Sequence, residues 1–303
     1  MSKKLSKDKI LIVVNPVSGG IDKTQYLNKA KTRYQSSYAL EVYHTTGKDD
    51  DTAIKKLLKE SKISRIVVMG GDGTVKLVVP LVDNQTIIGV VPLGSSNGLA
   101  TDLDLPTDIE EAIAVAINTN TRYIDTLKIN DHLGLHISDM GLNAELIKNY
   151  SETNIRGHFG YAMNVLPTLF KSDMPMNFTV RANEQVKEFN AVMVAFANSK
   201  KFGTGVTINP DGVVDDGFFE ILIFKNLDTI NVLKTIMGKI DLDSEFVEVI
   251  KTKEAQVSSE RGVSLQIDGE FCDYVQKVSI SILPKNICIA VPKTSSDKQS
   301  SIC

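Results

Sequence analysis

Apolar runs and amphipathic stretches take turns along the first 120 residues. "KILIVVN", "ALEVYHT", "RIVVMG" and "TIIGVVP" are short runs with near-continuous β-branched content, and each reads as a strand. Between them, Asp22 to Gln35, Thr52 to Glu60 and Thr74 to Leu81 read as helices. Strands about thirty residues apart and joined by helices call for a mostly parallel sheet covered on both faces. The pattern therefore predicts an α/β N-terminal domain over residues 1–121.

From Arg122 onward the runs shorten and turns separate them. "RYIDTLKIN", "HLGLHISDM", "MNFTVRAN", "EFNAVMVAFAN", "FFEILIF", "EFVEVIKT", "EAQVSSE", "GVSLQID" and "KVSISILP" read as strands, with helical interruptions near 157–170 and 227–238. This predicts a β-sandwich C-terminal domain over residues 122–292. The last strand, "NICIAVP", can pair in either domain, and the polar tail 293–303 reads as disordered. No repeat of fixed period is visible.

Composition narrows the function classes. In a chain of 303 residues, 42% apolar and 23% charged content allows a sizeable core. A net charge of −3 offers no global basic field for nucleic acid. The start "MSKKLSKDK" sets Lys3, Lys4, Lys7 and Lys9 against Asp8, which fits a solvated tail or a weak contact with anionic lipid. No apolar run approaches the roughly 18 residues of a spanning helix, and no secretory leader pattern precedes the first strand, so a cytoplasmic protein is expected. Cys272, Cys288 and Cys303 are scattered and odd in number, which suggests neither a disulfide framework nor a zinc site. His132 and His136 lie four apart in a strand-like run with no third ligand nearby, so packed or exposed histidines are favoured over a metal role.

The chemistry concentrates in turns. "NPVSGG" follows the first strand, "GGDGT" the third and "PLGSSNG" the fourth. In a parallel α/β sheet ligands bind at the carboxyl ends of strands, and turns of this composition bring backbone N–H groups close to an anion, phosphate above all. Gly70, Gly71 and Gly73 tolerate positive φ, and Thr74 suits an N-cap or a phosphate contact through its hydroxyl. Neither G-x-x-x-x-G-K-[ST] nor G-x-G-x-x-G occurs at these turns, so a nucleotide would be held in another way. Asp72 beside phosphate makes sense if Mg²⁺ or a substrate hydroxyl lies between; otherwise it is an Asx-turn residue bonded within its own loop.

With these turns the chain resembles the diacylglycerol kinase catalytic family, which includes bacterial lipid kinases, sphingosine kinases and ceramide kinases and is related to NAD kinases and phosphofructokinases. Asn15 to Gly19 match its N-P-x-S-G, Gly70 to Thr74 its G-G-D-G-T, and Pro92 to Asn97 its P-x-G-[ST]-x-N. "FANSKKFGTGVTINPDGVVDDGFFEI" and the Asp-Gly-Glu of "QIDGE" continue the resemblance over nearly the whole chain. The resemblance implies a phosphofructokinase-like first domain, a β-sandwich second domain and an active site in the cleft between them.

The resemblance further implies transfer of the γ-phosphate of ATP, with Mg²⁺, to a hydroxyl of a membrane lipid. The implied ATP contacts are Asn15, Ser18, Thr46, Gly70, Gly71, Asp72, Gly73, Thr74, Val75, Lys76, Gly94, Ser95 and Asn97. Glu270 is the implied general base, Asp268 the implied help in placing Mg²⁺, and Asp72 the implied partner of metal or hydroxyl. A second, structural metal held by one aspartate and two main-chain carbonyls maps onto Val213, Asp216 and Phe218. Taken alone, "QIDGEF" is an Asp-Gly hairpin turn; if Asp268 ends a strand and Glu270 starts a turn, both carboxylates can reach one cleft.

Two departures from the family pattern stand out. Val75, Lys76 and Leu77 replace the usual x-N-E, with Lys76 directed to phosphate or to solvent, and Gly98 and Thr101 stand where many bacterial members carry Asp and Arg. They leave open a catalytically weak nucleotide-binding regulatory homologue, while an NAD kinase lacks its G-S-T-A-type motif here. The implied lipid kinase reaches a bilayer peripherally, and residues 157–175 offer either that apolar contact or a core helix. The pattern is compatible with a homodimer and does not name the lipid.

Overall fold

The computed structural model describes residues 7–95, 97–117, 120–142, 144, 175–201, 207–226 and 246–293. The chain forms two compact units, residues 1–124 with 285–303 and residues 125–284. It passes from the first unit to the second between Ile124 and Asp125 and returns between Pro284 and Lys285.

In the first unit β1 (Lys9–Val14), β2 (Ala39–His44), β3 (Ile63–Gly70) and β4 (Ile87–Pro92) form a parallel sheet in the order β2-β1-β3-β4. The alternate residues Ile10, Ile12, Val14, Val67 and Met69 pack under α1 (Thr24–Tyr34) and α5 (Ile109–Ile117). Leu11, Val13, Ile66 and Val68 are equally buried on the opposite side of their strands. Burial of both faces explains why these strands read as unbroken apolar runs. α2 (Asp50–Glu60) and α3 (Asp72–Val78) contact each other, and α3 also contacts β3. The expected third helix ends sooner than predicted, because Val79–Leu81, with Pro80, tightens into a 3₁₀ turn.

The second unit is antiparallel. β5 (Thr121–Ile129) carries the chain into it, and β6 (His132–Gly134), β7 (Ile137–Gly141), β8 (Met176–Ala182), β9 (Gln185–Ala191), β10 (Met193–Ala197), β11 (Phe219–Phe224), β12 (Val247–Thr252) and β13 (Glu254–Ile267) follow. β14 (Glu270–Ala290) leads out again. Phe178, Val194, Phe196, Phe219, Ile221 and Ile223 point into one core. Ala195, Ala197, Leu222 and Phe224, the alternate residues of β10 and β11, belong to a second apolar cluster with Ile208 and Phe246. The strands "MVAFA" and "FEILIF" are thus buried at every position because both faces are covered, Glu220 being the one charged residue among them.

Four strand expectations change in detail. "HLGLHISDM" is two strands, because the amides of Leu135 and His136 turn away to a carboxylate instead of a neighbouring strand. "EFNAVMVAFAN" breaks at Val192, whose N–H bonds the Phe224 carbonyl at 2.8 Å. "EAQVSSE" and "GVSLQID" are one strand, β13, whose register with β14 shifts between Ser258 and Val263. "KVSISILP" and "NICIAVP" are one 21-residue strand, β14, whose Cys288 and Ile289 run parallel to Ile87 and Ile88 of the first unit's sheet. The expected helices at 157–170 and 227–238 lie outside the described residues, as do residues 1–6 and 294–303.

Phe196 is fully buried in the sandwich core, whereas Tyr123 is 42% exposed. Phe196→Ala is expected to lower unfolding stability by about 3–5 kcal/mol. Tyr123→Ala should stay within about 0.5 kcal/mol. Denaturant titration of both variants checks the contrast.

Candidate functional site

The three glycine turns of the first unit lock into one another at the carboxyl end of its sheet. Gly19 has φ 65°, and a Cβ on it would lie 2.3 Å from the Leu93 carbonyl oxygen. A Cβ on Gly94 would lie 2.4 Å from Gly71 Cα, and one on Gly70 2.4 Å from Thr74 Oγ1. Hydrogen bonds follow the same contacts. The Ser18 hydroxyl donates to the Leu93 carbonyl at 3.2 Å, and the Leu93 N–H donates to the Gly70 carbonyl at 3.0 Å. Asn15 Nδ2 donates to Thr74 Oγ1 at 3.2 Å, while its Oδ1 accepts the Val17 N–H at 3.2 Å. Asn97 closes the third turn, accepting the Gly94 N–H at 2.9 Å and donating to the Gly94 carbonyl at 3.1 Å.

The predicted contacts divide by exposure. Gly73 and Ser95 are exposed, and Asn15, Ser18, Gly71, Gly94, Asn97 and Lys76 are half-buried, while Ser96 lies outside the described residues. Thr74 is buried, and its hydroxyl serves Asn15. Val75 is fully buried in the core, so only its backbone can face a ligand. Gly70, Gly71 and Gly73 tolerate positive φ but do not use it: Gly71 has φ −104° and opens α3 from extended backbone, and among the turn glycines it is Gly19 and Gly20 that take positive φ. Lack of a Cβ, rather than backbone handedness, is what Gly70 and Gly94 supply.

Asp72 is buried, and its carboxylate reaches across to the next turn. Oδ2 accepts the Gly98 N–H at 2.7 Å and Oδ1 the Leu99 N–H at 3.2 Å. These are the first residues of α4 (Gly98–Asp102), so Asp72 ties the turn after β3 to the helix after β4. This is neither the Asx turn nor the open carboxylate that the sequence suggested.

Thr46 is exposed and is organised by Asp50, a residue that the motif comparison did not single out. Asp50 accepts the Thr46 N–H at 2.8 Å, the Thr46 hydroxyl at 3.1 Å, the Gly47 N–H at 2.8 Å and the Tyr43 hydroxyl at 2.7 Å. Burial pushes the Asp50 pKa up, but the Thr46 amide and the other donors outweigh it and hold the carboxyl below its ordinary range. Tyr43, desolvated and bonded to that carboxylate, is pushed up to about 12. Lys23 is a second omission: it is buried and donates to the Ser18 carbonyl and, at 3.3 Å, to the Ile21 carbonyl, bracing the first turn. Desolvation lowers its pKa, which Asp22 partly opposes.

In the second unit Asp268 and Gly269, with φ 54° and 85°, form the two-residue loop joining β13 to β14. The expected arrangement is therefore reversed: Asp268 sits in the turn and Glu270 begins a strand. The Asp268 carboxylate is buried and accepts the Leu135 N–H at 3.0 Å and the His136 N–H at 2.9 Å. His136 Nε2 lies 3.8 Å from Asp268 Oδ1, so this histidine is a buried neighbour of the turn. Gln266 is fully buried beneath the same loop. Its Oε1 accepts the Gly269 N–H at 2.7 Å and its Nε2 donates to Asp139 Oδ2 at 2.5 Å. Glu270 is exposed on this fixed hairpin.

The residues mapped to a second metal surround a different contact. Asp216 Oδ1 accepts the Phe218 N–H at 3.0 Å, and Oδ2 meets Lys251 Nζ at 2.6 Å. Val213 is 40% exposed. Among the described residues no group of three or more His, Cys, Asp or Glu side chains is placed to hold a metal ion. Asp50, Lys23, Gln266 and Lys251 were missed because each acts on backbone or on a distant carboxylate, which no local spacing announces.

A parallel α/β unit followed by an antiparallel sandwich is the architecture that known proteins share with this chain. Residues 9–129 match the diacylglycerol kinase catalytic domain, and residues 138–291 match the YegS C-terminal NAD kinase beta sandwich-like domain. The chain belongs to the family that combines these two domains. A "Probable lipid kinase YegS-like" protein of Chromohalobacter salexigens is 25% identical over 271 residues, covering 86% of each chain. A "Diacylglycerol kinase" of Bacillus subtilis is 25% identical over 301 residues, covering 95% of this chain and 97% of its own. The crystal structure of a diacylglycerol kinase from Bacillus anthracis has the same fold, with a TM-score of 0.71 at 21% identity over 94% of this chain and 97% of that one. No helix among the described residues is long and apolar enough to cross a membrane.

Asp50 yields a pH prediction. A carboxyl held below its ordinary pKa near 4 stabilises the fold at higher pH, and that contribution is lost as pH falls through the folded-state value. Asp50→Asn is expected to cost about 1.5–3 kcal/mol at pH 7. The gap to the parent protein should narrow below about pH 4. Thermal unfolding of both proteins across that range checks it.

Proposed function

We propose that this protein is an ATP-dependent lipid kinase that transfers the γ-phosphoryl group of MgATP to a hydroxyl of a membrane lipid, such as diacylglycerol or a sphingoid or ceramide-like lipid. The observation that carries the reading is the cluster of three interlocked turns, whose close approach leaves room for backbone but not for side chains. Such a surface suits a polyphosphate, which needs many weak donors held in fixed positions. Asn15, Ser18, Gly71, Gly73, Gly94, Ser95 and Asn97 are the residues we assign to it, with Thr46 on the Asp50-braced loop beside β2.

The Mg²⁺ of this reaction is part of the substrate complex. Asp72 and Asp268 have carboxylates bonded to backbone amides, so they fit a role in holding loops better than a role as a metal cage. Mg²⁺ keeps its waters and takes most of its other ligands from phosphate, which agrees with a site lacking a protein cage. Glu270 is the group we assign as general base: exposed, at the start of β14, on a loop whose neighbours fix it. In the transfer, the lipid hydroxyl oxygen forms a bond to Pγ, the bond from Pγ to the ADP oxygen breaks, and the hydroxyl proton passes to Glu270. The lipid acceptor implies transient work at a membrane surface, which we place at its cytoplasmic face.

A second reading has specific support. Lys76 and Leu77 stand in place of the polar pair, Thr101 in place of the arginine, and Asp72 is engaged with α4, which favours a nucleotide-binding homologue with weak turnover. Phosphate transfer from labelled MgATP separates the readings. Diacylglycerol, sphingosine, ceramide and phosphatidylglycerol in mixed micelles serve as acceptors, with NAD in parallel. Label in one lipid, falling by about 10²–10⁴-fold in Glu270→Gln, is expected. Label in NAD alone would overturn the lipid reading, and MgATP binding with no transfer would favour the second. Gly94→Ala, which forces Gly71 aside, should weaken MgATP binding in equilibrium titration while the far-UV spectrum is retained.

A further inference from the structure

The turn before β11 is where family resemblance places a structural metal, and its charges are arranged for something else. Asp216 Oδ2 lies 2.6 Å from Lys251 Nζ, and Glu220 Oε1 lies 3.3 Å from the same ammonium. The contact is built into the sheet, since Lys251 of β12 is the cross-strand partner of Glu220 of β11. Glu220 is buried, and its other oxygen accepts Asn209 Nδ2 at 2.8 Å, so its position is fixed from behind. Asn183 Nδ2 donates to the Lys251 carbonyl at 3.0 Å, which fixes the lysine backbone from the neighbouring hairpin. Phe218, one of the two residues whose carbonyls would ligate a metal, has ammonium groups beside its ring: Lys253 Nζ at 4.8 Å and Lys251 Nζ at 5.4 Å from the centroid. Asp125 Oδ2 is occupied by the Gly217 N–H at 2.7 Å.

A dication entering here would have to displace the Lys251 ammonium from both Asp216 and Glu220, at a turn whose Phe218 ring already has a second ammonium, Lys253, beside it. The residues present therefore do not fit the metal. We propose that Lys251 is a built-in cation: its ammonium neutralises Asp216 and Glu220 and holds the Asp216–Phe218 turn against β12, in place of a divalent ion. The inference concerns the second unit alone and stands whether or not the lipid kinase reading does.

The test is thermal unfolding of the full chain without nucleotide, in excess EDTA and in excess Mg²⁺ or Ca²⁺. The parent protein is expected to unfold at the same temperature in all three. Lys251→Met leaves Asp216 and Glu220 without their cation, so Mg²⁺ or Ca²⁺ should raise its midpoint by about 2–4 °C per kcal/mol of linked binding. Adding Asp216→Asn to Lys251→Met should abolish that rise, and Lys251→Arg should remain insensitive. A parent protein whose midpoint rises with either cation, and no longer does so in Asp216→Asn, would overturn the proposal. So would a folded Lys251→Met protein as indifferent to cations as the parent. If Lys251→Met does not fold, calorimetric titration of Mg²⁺ and Ca²⁺ into the parent and Asp216→Asn decides: no heat that depends on Asp216 supports the built-in cation, and such heat overturns it.

Discussion

Steric exclusion at the carboxyl end of the first unit's sheet sets the terms for everything around it. Gly19 against Leu93, Gly94 against Gly71, and Gly70 against Thr74 approach so closely that one methyl group would fall 2.3 to 2.4 Å from the neighbouring atom. Interiors this dense do not yield by small adjustments. The loops after β1, β3 and β4 therefore hold one another in place, and a change in any of them is transmitted to the other two. Such coupling suits a surface of backbone groups, because these lack rotamers and can be positioned only through the loops that carry them.

Carboxylates do the same work where glycine cannot. Asp50 gathers the Thr46 and Gly47 amides, Asp72 those of Gly98 and Leu99, and Asp268 those of Leu135 and His136. A charged acceptor bonded to two amides is stronger than a neutral one, and it satisfies backbone groups that an irregular loop leaves outside the sheet ladders. An acid in a functional motif can thus act on the protein's own backbone. Among the acids singled out from the sequence, Glu270 is the exposed one, and its strand begins directly after a loop pinned by Gln266 and Asp268.

The strands β1, β3 and β4 were legible because burial on both faces forces continuous apolar runs, whereas β2 is half-buried; all four fall within a residue or two of the predicted runs. The sandwich strands were legible as apolar segments but not in their breaks. The interruption at Leu135 and His136 is caused by Asp268, more than 130 residues away, and β13 and β14 bridge polar stretches because their partners supply the ladder. Local pattern carries no trace of such partners. The glycine turns were found in sequence, but composition shows only that a side chain is absent, not whether the absence serves a positive φ, as at Gly20, or a close approach, as at Gly94.

The same distinction applies to the departures from the family pattern. Lys76 and Leu77, which replace the polar pair, are half-buried, while Val75 at the variable position is wholly buried and extends the core beneath the second turn. Thr101 donates its hydroxyl to the Asn97 carbonyl at 2.9 Å, which closes the turn that Asn97 itself organises. Gly98 presents its N–H to Asp72 at 2.7 Å. Gly98 and Thr101 thus support loop geometry through backbone bonds. What they remove is side-chain chemistry at the edge of the cluster. On the proposed reading, phosphate contacts therefore fall to backbone groups, and their placement depends on the close packing of the three turns more than on any one side chain.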